Sequence, residues 1–517
     1  MDSNKSRSYH RPVWDDNGRF HFELTPQPKG KNHVSVCLVP PEKVIPVIFI
    51  PGVMGSNLKN EGSEVWQFSF RSLKKWLFAN AEKRKKLLDP KTTMVDDRGK
   101  IVNDGADGKK FPSRRKRGWG CAFYKSYGEA LDRLQYLLSD DDILTDNYFR
   151  KEQLQTARQR FTGVRIGDEQ AEQVLTEAET VHGHRFLYPL HVFGYNWLQS
   201  NADSAALLGT YIGEVLEDYQ GRLAVNKVIL VTHSMGGLVA RHYSEIMNGQ
   251  ENILGIVHGV MPDLGSPAAY RRMKTGERGI TGIIIGDNAE KLMPVLAQSP
   301  GPLQLLPGTA YGPGWLRVEG SGSRQSLPLN DPYQEIYLNK TDWLRLCEQD
   351  LLLDDTQTEW ESYQDRIKID ARKFIEELNG KYHPQTWLFY GVSANNPSDA
   401  YLTWKERPAL RPALRPALQL VPVMGYPEPS SPTYRYDAGK TFELISAGTP
   451  GDGTVPVTSI RTTSPHIRGV LATNIDHEGA FAVTPVDRSR SVYSDLSDAL
   501  MFTVRSVIKI VQQVPAP

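Results

Sequence analysis

The chain is poor in the features that mark several protein classes. It has only three cysteines in 517 residues, Cys37, Cys121 and Cys347. They lie far apart and form no Cys-x-x-Cys pair, which excludes a disulfide framework and a cysteine metal or redox centre. At most one bridge is open to them, and free, partly buried thiols are expected. No uninterrupted apolar run approaches about 18 residues, so no transmembrane helix is expected. The opening Met1-Asp2-Ser3-Asn4-Lys5-Ser6-Arg7 lacks the apolar centre of a signal peptide. Synthesis in a cytoplasm is therefore expected, with any export running through a non-classical secretion system. Charge of one sign is not in excess: 61 basic and 60 acidic residues leave a formal net charge of +1. That argues against bulk capture of nucleic acid, and no nucleic-acid partner is expected. His182-Gly183-His184 and His191 have no carboxylate or cysteine to complete a metal set, so neither metal nor cofactor is expected.

What is present reads as a large soluble enzyme. Apolar content is 39% and charged content 23%, ordinary for a globular protein. Val44-Ile45-Pro46-Val47-Ile48-Phe49-Ile50, Leu190–Tyr195, Lys227–Val231, Ile253–Val260 and Thr386–Val392 read as buried strands. Val470–Asn474 adds a late strand. Helical spacing falls between them, as in Ser204–Tyr219. Alternating strands and helices predict a mostly parallel sheet with crossover helices. Residues 1–43 read as a polar lead-in. The core is expected over 44–56, 185–267 and 384–511, with cap or lid insertions at 57–184 and 268–383. Arg407-Pro408-Ala409-Leu410 recurs at 411–414 and 415–418. Proline at every fourth position blocks helix and sheet, so 404–432 reads as a surface loop.

One segment carries most of the chemistry. In Val228-Ile229-Leu230-Val231-Thr232-His233-Ser234-Met235-Gly236-Gly237-Leu238 an apolar strand breaks at a serine and a helix follows. This is the pattern of a nucleophile elbow. The turn is tight, so residues two before and two after the serine must be small. Thr232 is the bulkier of the two, and its methyl is expected to find room.

A serine hydroxyl needs a base within hydrogen-bond reach, and the base needs a carboxylate to hold its tautomer. In an α/β-hydrolase these follow in the order serine, acid, histidine. The base candidates beyond Ser234 are His258, His383, His466 and His477. His258 sits inside a strand, and His383 precedes one at the wrong end. His466 lies in a loop beyond the acid. His477, just past the late strand, is the best base. Asp452, between Gly451 and Gly453, is the best acid; Asp476, Asp287 and Asp263 are weaker choices. Met235 and Val53, in the loop Pro51-Gly52-Val53-Met54-Gly55-Ser56, are the expected oxyanion donors.

Pro51–Ser56, Tyr195-Asn196-Trp197, His233–Gly237, Tyr390-Gly391-Val392, Gly451–Pro456 and His477 occur in that order. As a set they resemble the lecithin:cholesterol acyltransferase and lysosomal phospholipase A family and its bacterial relatives. The elbow with its Pro-Gly loop also resembles the GPI-inositol deacylase-like hydrolases, groups that include some interbacterial lipase effectors. The resemblance implies an α/β-hydrolase core with a helical lid, acting on lipid esters through an acyl-enzyme. It gives Ser234, Asp452 and His477 the triad roles, and Val53 and Met235 the oxyanion hole. Ser299-Pro300 and Leu303-Gln304-Leu305-Leu306-Pro307 resemble that family's segment near the acyl pocket. Asn196 and Leu198 depart from its Asp and Arg, which removes a local charge pair.

The expected partners are a lipid or phospholipid ester and, transiently, a membrane interface. A secretion apparatus or an immunity protein joins them if the chain is an effector. Gly282–Gly286 and Ala289–Leu296 read either as a lipid-touching lid or as a packed cap. Arg114-Arg115-Lys116-Arg117 reads as a solvated basic loop or a head-group contact. Acyl transfer to an alcohol, thioester or amide cleavage, and a catalytically dead binding module are the alternatives to ester hydrolysis.

Overall fold

The structure, a computed structural model, describes residues 6–10, 12–15, 19–24, 33–37, 39–67, 76–105, 107–140, 156–166, 174–277, 279–320, 323–407, 434–437, 440–481 and 497–515. Its centre is a sheet of six strands: β1 (Val47–Ile50), β2 (Leu190–Val192), β3 (Val228–His233), β4 (Ile253–Gly259), β5 (Thr386–Gly391) and β6 (Ile467–Thr473), in spatial order β2-β1-β3-β4-β5-β6. Every neighbouring pair is parallel.

The central strands β1, β3 and β4 are rich in β-branched and apolar residues because both their faces are covered. Successive side chains point to opposite faces. Ile48, Ile50, Val228 and Leu230 join one core, while Val47, Phe49, Ile229 and Val231 join the other. Helix α1 (Tyr124–Ser139) lies in the second core, through Tyr127, Ala130, Leu131 and Leu134. It comes from the segment 57–184 and packs directly on sheet residues. Helices α2 (Asn201–Asp218) and α3 (Gly236–Glu245) cover the first face. Helices α4 (Gly279–Ile285) and α5 (Ala289–Ala297) also pack there, with Ile284, Ile285, Leu292, Met293 and Val295 fully buried. In this structure they are packed against the core. Arg84 ties α4 down by donating from its guanidinium to the Ile283 and Ile284 carbonyls.

The C-terminal helix α6 (Asp498–Val511) is buried almost all round, Arg505 and Ser506 included. The basic run differs from its reading. Arg114 and Arg117 are buried and both bond Asp107, while Arg115 and Lys116 stay exposed. Burial alone would raise the Asp107 carboxyl, but the two guanidiniums hold it below its ordinary value. The lead-in is not featureless either: Ser6–His10 pairs with His33–Cys37, and Pro12–Trp14 with Phe20–Phe22. Tyr434–Asp437 and Lys440–Ser446 pair antiparallel. The Pro-Ala-Leu repeat beyond Arg407 lies outside the described residues. Among the described residues, no helix is long and apolar enough to cross a membrane. The cysteines Cys37, Cys121 and Cys347 are all free.

Candidate active site

Strand β3 ends at His233, and α3 begins at Gly236, so Ser234 sits in a two-residue turn. Its φ is 51°, a left-handed conformation that costs a non-glycine residue energy. The Ser234 N–H donates to the Gly259 carbonyl at 2.8 Å, and the Ser234 carbonyl accepts from Gly237 at 2.9 Å. Those bonds at the end of β4 and the start of α3 hold the strained turn. A Cβ on Gly236 would lie 2.5 Å from the carbonyl oxygens of Ile50 and Pro51. Glycine is thus required there by the end of β1. Thr232 bonds His258 Nδ1 through Oγ1 at 2.9 Å.

The residues expected at the site are brought together. His477 Nε2 lies 2.9 Å from Ser234 Oγ, and His477 Nδ1 lies 2.8 Å from Asp452 Oδ2. The His477 N–H also donates to the Asp452 carbonyl at 2.7 Å, so backbone and ring are both referenced to the acid loop. Asp452 Oδ1 accepts from the N–H groups of Thr454 and Val455 at 2.9 and 2.7 Å. Ser398 Oγ braces the loop by accepting from the Asp452 and Gly453 amides. All three triad-type residues are buried, Ser234 at 3%, Asp452 at 2% and His477 at 9% exposure. Burial alone would raise the Asp452 carboxyl. The charge and Nδ1 hydrogen bond of His477, with the two loop amides, outweigh it and hold the carboxyl below its ordinary value. A carboxylate facing Nδ1 fixes that nitrogen as the donor and leaves Nε2 free to accept the serine proton.

Gly55 N–H donates to the Gly52 carbonyl, and Met54 has φ 62°, so Gly52–Gly55 is a tight turn. A Cβ on Gly52 would lie 2.9 Å from Ser234 Cβ. The Gly52–Val53 peptide therefore stands directly beside the serine. Among the described residues, neither the Val53 nor the Met235 N–H is engaged by a backbone carbonyl.

The other candidates lie elsewhere. His258 is buried inside β4 on Thr232, and His383 bonds the Gln385 amide. Asp263 pairs with Arg241 and Tyr382, Asp287 with Lys291, and Asp476 caps its own turn through Gly479. His184 bonds Asp140 and His191 bonds Tyr219. Asn196 binds backbone and hydroxyl oxygens at Pro90 and Thr93. The Ser-Pro segment packs on the Trp197–Asn201 turn: a Cβ on Gly301 would meet the Trp197 carbonyl at 2.4 Å, and Gln304 accepts from Asn201.

Sequence reasoning missed two residues at the site. Tyr127 accepts from the Gly52 N–H and bonds His233 Nδ1 at 2.7 Å. Ser398 carries the acid loop. Neither lies in a recognisable motif.

No family model matches the chain, and no curated protein matches it. Among solved structures it is similar to a chain in the crystal structure of the Tle4–Tli4 complex. The two are 28% identical with a TM-score of 0.72, and the match covers 91% of this chain and 99% of that one. The parallel sheet flanked by helices and this similarity establish an α/β-hydrolase fold.

Proposed function

We propose that the protein is a serine hydrolase that cleaves carboxylic esters of lipids through an acyl-enzyme. The observation that carries the reading is the line Ser234 Oγ–His477 Nε2 and His477 Nδ1–Asp452 Oδ2, with bonds of 2.9 and 2.8 Å, ending on a serine at φ 51°. His477 takes the Ser234 proton as Oγ attacks the ester carbonyl. The Val53 and Met235 N–H groups stabilise the oxyanion. Collapse passes that proton to the departing alcohol and leaves an acyl-serine. Water then adds with His477 as base, releases the acid and restores the serine. Asp452 stays ionised and steadies the imidazolium.

The lipid class draws on the resemblance to lipase families and effectors and on the similarity to the Tle4–Tli4 structure. That structure is of a complex, which supports a protein partner that binds this chain, such as an immunity protein. The test pairs Ser234→Ala with a fluorophosphonate probe and mixed-lipid liposomes. The wild type should be labelled at Ser234 and release fatty acid, and the variant should do neither. Retained ester hydrolysis in Ser234→Ala overturns the mechanism. Products other than fatty acid and a deacylated lipid overturn the substrate class.

A further inference from the structure

The His233 ring lies between the two halves of the site, and its hydrogen bonds have a fixed direction. Nε2 faces the backbone carbonyl of His477 at 2.8 Å. A carbonyl only accepts, so Nε2 carries the proton and donates. Burial, with the neighbouring His477, pushes the His233 ring down to about 3, so it is neutral near pH 7. Nδ1 is then the acceptor, and the Tyr127 hydroxyl, 2.7 Å away, donates to it. The same hydroxyl oxygen accepts from the Gly52 N–H at 3.2 Å. One directed chain therefore runs from the Gly52 turn through Tyr127 and His233 to the main chain of His477.

We propose that Tyr127 and His233 are positioning residues that hold the oxyanion turn and the base loop in register around Ser234. The inference rests on the proposed roles of Ser234, His477 and Val53. The ends of the chain are the two parts whose placement sets the reaction: the Gly52–Val53 peptide and the residue carrying the base. Its members come from four separate segments, after β1, on α1, at the end of β3 and past β6. Nothing local in the sequence fixes their mutual position, so a cross-link is needed to do it. The surroundings suit a rigid one. Tyr127 is edge-on to Phe49 and to His233, and Phe481, four residues past His477, is edge-on to both Phe49 and His233. These aromatic contacts leave the polar chain buried, where each bond is strong and a missing partner is costly. The start of α1 is itself tied to the turn, since the Phe123 N–H donates to the Gly55 carbonyl at 2.9 Å.

The test uses the full chain, a short-chain p-nitrophenyl ester, and active sites counted by fluorophosphonate labelling. Tyr127→Phe removes the hydroxyl and keeps the ring. His233→Gln places an amide where Nε2 lies, keeping the bond to His477 while removing the acceptor for Tyr127. Each should lower kcat per labelled site about tenfold at unchanged KM, as expected for a small displacement of reacting groups. The double variant should be no slower than the slower single, because both break the same link. A purely structural role would lower stability and the labelled fraction but leave kcat per site intact, and that result overturns the proposal. Multiplying losses in the double variant overturn it too. If Tyr127→Phe does not fold, His233→Gln alone carries the kcat and KM test. Ser234→Ala run alongside separates the two readings. If it loses activity while Tyr127→Phe keeps full kcat per site, only the positioning chain fails. If it keeps activity, the reaction itself has been misassigned.

Discussion

Thr232 Oγ1 lies 2.9 Å from His258 Nδ1, a bond between β3 and β4 just behind the serine turn. The threonine that looks too large for an elbow thus supplies a partner to a buried histidine. His258 Nε2 has no partner among the described residues, so this bond is the ring's main polar contact. Thr232→Val keeps the shape and removes the hydroxyl. It should cost about 1–3 kcal/mol of stability, the price of an unsatisfied buried polar group, with kcat nearly unchanged. Urea unfolding and ester kinetics check both halves. An unchanged midpoint would mean that the ring finds another partner.

The buried histidines also set a pH dependence. Burial, with the nearby Arg241 charge, pushes His258 down to about 3 from the ordinary 6.5. Burial and His477 do the same to His233. The unfolded chain therefore takes up protons below pH 6.5 that the folded chain refuses. Stability is fully present above that pH and falls as the pH drops toward 3, by about 1.4 kcal/mol per pH unit for each such ring. His258→Gln should flatten the loss between pH 6.5 and 5 by one ring's share. Unfolding curves at pH 7.5, 6.5 and 5.5 measure it, and equal slopes in both proteins refute the assignment.

What the sequence made legible follows from local physics. Runs such as Val228–Val231 read as strands because both sheet faces are covered, so no polar residue interrupts them. Ser234, Asp452 and His477 stand out because strand ends, glycines and chain order restrict where such groups can act. Tyr127 was not legible. It shares a helix face with Ala130, Leu131 and Leu134, and a tyrosine there reads as core until the Gly52 turn is folded against it. The burial of Arg114 and Arg117 is hidden from the sequence for a related reason. Their solvation depends on Asp107, several residues upstream, and only tertiary structure brings the three together. A small residue at 236 follows from the elbow pattern itself; that the neighbours crowding it are the Ile50 and Pro51 carbonyls comes from the end of β1, far away in sequence.

Gly52 should not accept a side chain without loss of activity. A methyl there would meet Ser234 Cβ at 2.9 Å, His233 Nδ1 at 3.0 Å and the His233 carbonyl at 3.3 Å. None of these is the far end of a flexible side chain, so the turn must shift. Gly52→Ala should lower kcat/KM about 100-fold. Gly213→Ala on α2, where a Cβ meets nothing within 4 Å, serves as the comparison and should leave activity unaffected. Full activity in Gly52→Ala would mean that this peptide does not hold the oxyanion.

Asp452→Asn isolates the tautomer from the shape of the site. Asn keeps the size of Asp, and its oxygen can still accept from Thr454 and Val455, as Oδ1 does now. Its NH2 would then face His477 Nδ1, where a carboxylate oxygen stands at 2.8 Å. A donor facing that nitrogen forces Nδ1 to accept, which moves the ring proton to Nε2 and aims it at Ser234. The base is then already protonated at the atom that must receive the serine proton. The expected loss is about 10⁴-fold in kcat, with slowed fluorophosphonate labelling. Asp263→Asn makes the same chemical change on the Arg241 ion pair and should weaken stability without touching the tautomer of His477. A loss below tenfold in Asp452→Asn would show that another group orients His477, and Asp452 would then be a brace for its loop.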